Sequence, residues 1–387
     1  MRICALIGYI ATLNNLLIDI SLDLCYHKSI ALKTEINMEN CNTLNNRPQR
    51  NLWIDIFRIL LSLLVVGLHT VGTGTPLTQV YRFAVPAFFI ISGFYAYCPD
   101  ENKSVEKSKR FVKSTLQYFA IGFVIYTILI IIRTAVVGEN ESDFLVKFIR
   151  EIEYNRTLVN FFITNVAMGR FDGYLWFLRA LITISVIHYL LVKHKKTKWY
   201  VVIVPLALVI YFVVGNYLKL FTDFELPNRY TRNAIFFGLP LFGLGYLLAQ
   251  LKVNEKHWHK WVYLAVGLAF CFVQIAESLL VVAECYISSI ISAVCLLKFF
   301  ASLKSPKADW FYKYVGKNVF FYIYVIHLPL IYMFNEILSS TAALWFVVFF
   351  ASLALYFVGF YIAMAVKVLA KKHSESKVAK ESTETQE

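Results

Sequence analysis

Arg58 and His69 stand eleven positions apart inside the apolar run LWIDIFRILLSLLVVGLHTVG. Ionisable groups in a bilayer are expensive, about 2.5–3.5 kcal/mol for an Arg at a helix centre by insertion scales, so they usually face a polar interior. On a helix, eleven residues at about 100° each return to within about 20° of the start. At about 1.5 Å per residue the pair lies about 16 Å apart along one face. One stripe thus presents a fixed cation and a titratable imidazole. Histidine is the side chain best suited to proton exchange near neutral pH, so the chemistry to expect is acid–base work on a polar substrate. Singly, each residue has a plainer reading. Arg58 can pair with Asp55, three residues earlier on the same face, and a histidine near an interface can be a satisfied polar group.

Other candidates follow along the chain. In VPAFFIISGFYAY, Ser92 and Gly93 interrupt an aromatic run. Such a pair most often permits close helix packing, and Ser92 could also hydrogen-bond a ligand; it lacks the G-x-S-x-G turn of a hydrolase nucleophile. In EKSKRFVKS, Arg110 and Lys113 fall one turn apart at the mouth of an apolar segment, where cations either anchor a helix or bind the phosphates of a cytosolic ligand. GYLWFLRALI sets Trp176 beside Arg179, and FYIYVIHLPLIY sets His327 before Pro329. Trp176 can serve as an interfacial belt residue. His327 lies inside an apolar run, and Pro329 frees a backbone carbonyl near it. Asn140 and Asn155 match glycosylation acceptors, a pattern that matters only in a secretory eukaryotic setting.

These residues need elements to hold them, and composition says which kind. The chain has 387 residues, 58% hydrophobic, 17% aromatic and 16% charged. That is more apolar surface than a soluble globule of this size buries, so the fold class expected is an all-α integral membrane protein. From residue 51, ten apolar segments are long enough to span: 52–72, 80–98, 112–137, 174–192, 199–215, 233–251, 261–278, 284–303, 317–335 and 342–368. The formal net charge of +13 sits in alternate short loops rather than on one surface, which argues against nucleic acid. One set of loops holds Lys103, Lys107, Lys109, Arg110 and Lys113, then Lys193, Lys195, Lys196 and Lys198, then Lys252, Lys256 and Lys260, then Lys298, Lys304, Lys307, Lys313 and Lys317. The opposite loops are short and uncharged or mix both signs. This alternation predicts about ten transmembrane helices with both termini in the cytoplasm, Arg58 in the inner half of the first span and His69 near its outer end.

Residues 1–50 read as a polar, Asn-rich N-terminal extension with one mixed apolar run, and translation from Met38 is an alternative start. Residues 371–387 read as a charged, solvated cytoplasmic tail with no fold of its own. The seven cysteines show no C-x-x-C pair and no metal-ligand spacing, so they read as small core hydrophobes and no metal is expected.

The motifs together resemble the membrane acyltransferase-3 family, which includes bacterial O-acyltransferases acting on cell-surface glycans. The resemblance rests on D-x-x-R-x-x-x-x-x-L-V-V-x-x-H from Asp55 to His69, on VPAFFIISGF, YLWFLRALI, FGLPLFGLGYLL and VGKNVFFYIYVIHLPLI, all in the family's order over about residues 50–370. It implies a membrane acyltransferase domain over 51–370 with ten helices, in which Arg58 and His69 match the pair essential for acyl transfer. Arg110 and Lys113 match a cytoplasmic R-x-x-R element that engages an acyl-CoA donor, acetyl-CoA by default and succinyl as the alternative. Here the second Arg is Lys113, which neutralises phosphate without a planar bidentate contact. The family's helix-entry proline is replaced by Ser114 and Thr115. No SGNH-type domain follows the last span in this sequence, so the membrane domain itself is expected to deliver the acyl group. Supporting roles fall to His327, Ser92, Trp176 and Asp55. The expected partners are acyl-CoA, a glycan or lipid-linked sugar, and the lipid of a bacterial plasma (inner) membrane. The competing expectation is a multi-helix transporter or exporter of a polysaccharide or small polar substrate, because an intramembrane Arg and His can line a path without chemistry.

Overall fold

The computed structural model describes residues 51–71, 75–137, 175–222, 224, 226, 231–251, 259–306, 309–315, 318–335, 337–338 and 340–384. The extension 1–50 with Met38, Asn140, Asn155 and the charges between 139 and 150, and Lys252, Lys256, Lys307 and Lys317 lie outside these residues.

The described residues are helical and contain no strand. In chain order the helices are α1 (Leu52–Thr70), α2 (Pro76–Tyr81), α3 (Ala84–Ala96), α4 (Glu101–Val137), α5 (Trp176–Lys193), α6 (Tyr200–Ile210), α7 (Leu239–Leu251), α8 (Lys260–Leu280), α9 (Ile287–Ser302), α10 (Asp309–Tyr314), α11 (Val319–Phe334) and α12 (Thr341–Glu384). Wider π-helical turns extend α6 through Tyr211–Tyr217 and lead into α7 over Ala234–Gly238. Among the described residues, eight stretches are long and apolar enough to cross a bilayer. The other two apolar segments fall on the 37-residue α4 and the 16-residue α9. At about 24 Å, α9 is shorter than a hydrocarbon core of about 30 Å.

The chain is a multi-pass membrane protein, and the outward faces show it. Phe272, Leu279, Phe350 and Ile362 are exposed, whereas the buried stripe of α8 is Tyr263, Gly267, Cys271, Gln274 and Glu277. Apolar outside and partly polar inside is the pattern of a helix solvated by lipid. Helix α12 runs on through the charged stretch to Glu384. Its Lys, Glu and Ala content favours helix, and opposite charges three and four residues apart add to that preference.

Helix direction alternates, and this gathers the basic loops at one end. The start of α1 meets the end of α9, with Leu52 N donating to Ser305 Oγ at 3.0 Å and Trp53 Nε1 to Lys304 O at 3.2 Å. At the same end Lys107 Nζ donates to Tyr97 O at 2.7 Å, and Lys195 pairs with Glu101 at 2.6 Å across the α4 and α5 termini. Asp100 caps α4 by accepting from Lys103 N at 3.1 Å, and that bond holds its carboxyl below the usual range. At the opposite end lie the finish of α1, the short α2 and the start of α5.

Buried Glu277 ties this opposite end together. Its carboxylate accepts from the Tyr217 and Ser288 hydroxyls and from Ile287 N and Ser288 N, both at 3.2 Å. An anion thereby satisfies the first free N–H groups of α9. Glu277→Ala leaves those donors without an acceptor in a lipid-solvated bundle, an expected loss of about 3 kcal/mol or more at about 1–3 kcal/mol per stranded group. Thermal melting of the purified protein in detergent checks this; Glu277→Gln, which keeps one carbonyl oxygen, is expected to lose less.

Candidate functional site

His69 opens into a cavity of about 240 Å³ at the end of the bundle where α1 finishes. Its ring is exposed to that space, while His327 of α11 is fully buried behind it with ring centroids 5.4 Å apart. His327 Nδ1 lies 3.1 Å from Ile323 O. A carbonyl only accepts, so Nδ1 carries the proton in the neutral ring and Nε2 holds a lone pair. Nε2 is buried with no hydrogen-bond partner among the described residues. The carbonyl engaged is one turn back from His327 and is not the one freed by Pro329, which belongs to Val325.

Among the described residues, three charged side chains join His69 at the cavity. Arg82 follows α2, Glu284 sits in the α8–α9 connection, and Arg232 precedes the π-helical turn into α7. Arg82 Nη1 is 3.3 Å from Glu284 Oε2, and its Nε donates to Gln79 Oε1 at 2.8 Å. Gln79 Oε1 also accepts from Tyr286 Oη at 2.8 Å, so Arg82 is anchored from two sides. Arg232 lies over the ring of Trp176 at 4.6 Å and reaches Glu284 only at 4.0 Å. Asn233 fixes the turn beside it by accepting from Ile235 N and Phe236 N, both at 2.9 Å.

Arg58 belongs to a second cluster at the other end of α1. Its Nη1 pairs with Asp55 Oδ1 at 3.2 Å, and Asp55 Oδ2 accepts from Tyr312 Oη at 3.1 Å. Its guanidinium stacks over the rings of Tyr95 at 4.8 Å and Phe320 at 5.1 Å. Desolvated contacts of this kind are worth about 2 kcal/mol. Phe320 and His327 both belong to α11, so the Arg58 and His69 stripe faces one helix along its length. Between the two clusters, Ser62 Oγ is 3.3 Å from Phe320 O.

The remaining expected residues separate. Trp176 is buried at the cavity with Arg232 against it. Ser92 turns its hydroxyl back to Phe88 O at 2.7 Å and does not line the cavity. Arg110 and Lys113 are exposed on α4, with Arg110 Nε donating to Glu106 Oε1 at 3.1 Å, at the end that carries the other basic loops. Sequence reasoning did not single out Arg82, Arg232, Glu284 or Gln79. Each is one polar residue at the edge of a span, and the only sequence signal was an Arg near the start of the second apolar segment.

A model of an acyltransferase domain matches residues 51–369. The chain belongs to the acyltransferase-3 family. The matched acyltransferase domain is built on multi-pass membrane helices. An amino-acid racemase of Enterococcus faecalis is 26% identical over 238 residues, covering 56% of this chain and 30% of the relative. The match thus spans under a third of that relative's length. No solved structure matches. Within this acyltransferase-3 chain, the matched region takes in both clusters and all three charged side chains of the cavity.

Proposed function

We propose that this enzyme moves an acyl group, acetyl by default, from cytoplasmic acyl-CoA to a hydroxyl of a cell-surface or lipid-linked glycan in a bacterial plasma membrane. The observation that carries the reading is His69 opening into the cavity with His327 behind it, in a chain of the acyltransferase-3 family. Lysine-rich loops gathered at one end support placing that end, with Arg58, Arg110 and Lys113, on the cytoplasmic side. Acyl-CoA docks there with its phosphates on Arg110 and Lys113, and its long pantetheine arm runs along the Arg58 stripe toward His69.

The neutral His69 imidazole accepts the proton of the acceptor hydroxyl as its oxygen bonds to the thioester carbonyl carbon. Negative charge develops on the former carbonyl oxygen, where a fixed cation or dipole is most effective in a dry site. Collapse re-forms the carbonyl and breaks the carbon–sulfur bond. The proton on His69 then passes to the departing thiolate. His327 orients His69 and does not touch the substrate.

A second reading, movement of a small polar substrate without chemistry, is favoured by one observation: Arg58 and His69 lie along one stripe against α11, and intramembrane ionisable groups can line a substrate path. Glycan O-acyl content separates the two. Cells lacking the protein should lose a glycan acyl group that the wild-type chain restores. Unchanged acylation in a background without a second acyltransferase, with substrate redistributed across the membrane, would replace transfer by transport.

A further inference from the structure

The cavity beside His69 has an excess of fixed positive charge. Among the described residues lining it are two guanidiniums, Arg82 and Arg232, against one carboxylate, Glu284. The two arginines are not equivalent. Arg82 is 11% exposed, is held by Glu284 and Gln79, and uses its Nε on the latter. Arg232 is 33% exposed, stacks on Trp176, and stands 4.0 Å from Glu284, beyond hydrogen-bond length. One planar fork therefore faces the cavity with donors uncommitted to protein acceptors among the described residues, and an arginine fork matches the two oxygens of a carboxylate or phosphate.

The Glu284 carboxylate gives its nearer contact to Arg82, at 3.3 Å against 4.0 Å to Arg232. Its connecting segment is held by Lys219 Nζ on Val282 O at 2.6 Å, by Asn216 Nδ2 on Cys285 O at 3.1 Å, and by the Glu277 cap on α9. At about 240 Å³ the cavity is smaller than drug-sized pockets of about 300–1,000 Å³, so it takes the end of a ligand, not the whole of one. His69 and Arg232 line the same small space. A hydroxyl at His69 and an oxyanion at Arg232 then belong to one terminal unit.

We infer that the acceptor is acidic: its terminal sugar carries a carboxylate or phosphate that Arg232, backed by Trp176, binds while a hydroxyl of that unit is presented to His69. This rests on the acyl-transfer reading for the role of His69, but the anion site stands on its own geometry.

The test uses purified full-length protein in lipid nanodiscs and intrinsic tryptophan fluorescence, with Trp176 as the reporter under Arg232. Four probes are compared: methyl glucoside, methyl glucuronoside, methyl glucoside 6-phosphate and inorganic phosphate. At least one of the two acidic sugars should bind about tenfold more tightly than methyl glucoside and than inorganic phosphate, and the preference should shrink as salt is raised. Arg232→Gln should abolish the preference, and a wild-type melting temperature of the variant in detergent shows that it is folded. Arg232→Lys should keep a reduced preference. Equal binding of neutral and acidic sugars, a preference that survives Arg232→Gln, or inorganic phosphate binding as tightly as the acidic sugars overturns the inference.

Acyl-CoA consumption with the same acceptors is measured in parallel. Charge preference without any acyl transfer would remove the transferase reading and leave the anion site. Transfer that ignores acceptor charge would do the reverse.

Discussion

Acyl transfer is expected to fall by about 10²–10⁴-fold when His69 becomes Ala, the span usual for removing a positioned general base. The expectation follows from where the ring sits. His69 is exposed to the cavity, while His327 is buried behind it. His327→Ala should therefore cost less, about tenfold, by freeing the His69 ring to turn. The measurement is acyl-CoA consumption by purified protein in nanodiscs, with variants matched for monodispersity. A His69→Ala enzyme within twofold of wild type would remove the imidazole from the chemistry. Loss of activity in His327→Ala equal to that in His69→Ala would make the two rings a single functional unit.

The membrane bundle was legible in the sequence because lipid imposes a strong one-dimensional signal: a helix must stay apolar for about 20 residues to cross. All ten apolar segments fall on helices, although α9 is short and the second span begins as a separate turn at Pro76. The Arg58 and His69 stripe was legible from helical period alone, and both residues meet α11. The cavity was not. Arg82, Arg232 and Glu284 come from three connections distant in sequence, and each is individually indistinguishable from an ordinary interfacial charge. Their meeting depends on packing that no period reports. Trp176 illustrates the same limit: an aromatic at a span end reads as a belt residue, and only the fold puts Arg232 over it.

Gly93 and Gly245 carry the second large expectation. A Cβ added at Gly93 overlaps the carbonyl oxygen of Phe242 on α7, and one at Gly245 overlaps the carbonyl oxygen of Ile90 on α3. The obstruction in both cases is backbone, which cannot rotate away as a side chain can. Small residues permit this approach between membrane helices, and adding bulk costs about 1–3 kcal/mol even where side chains give way. Gly93→Ala is expected to lower stability by about 3 kcal/mol or more. Gly93→Val and Gly245→Val should yield no monodisperse protein. Gly359, with open space where its Cβ would go, supplies the control, and Gly359→Ala should be neutral or better by up to about 1 kcal/mol of helix propensity. Melting temperatures in detergent decide it. A Gly93→Ala protein as stable as wild type would mean that α3 and α7 separate readily.

The pairing of Arg58 with Asp55 has an electrical consequence. A single elementary charge crossing an energised membrane exchanges about 2.3 kcal/mol with the field per 100 mV. Arg58 and Asp55, 3.2 Å apart and fixed to the same turn of α1, present the field with a dipole and no net charge. Any rocking of α1 during turnover then carries no gating charge through this cluster, and voltage neither drives nor opposes that motion there.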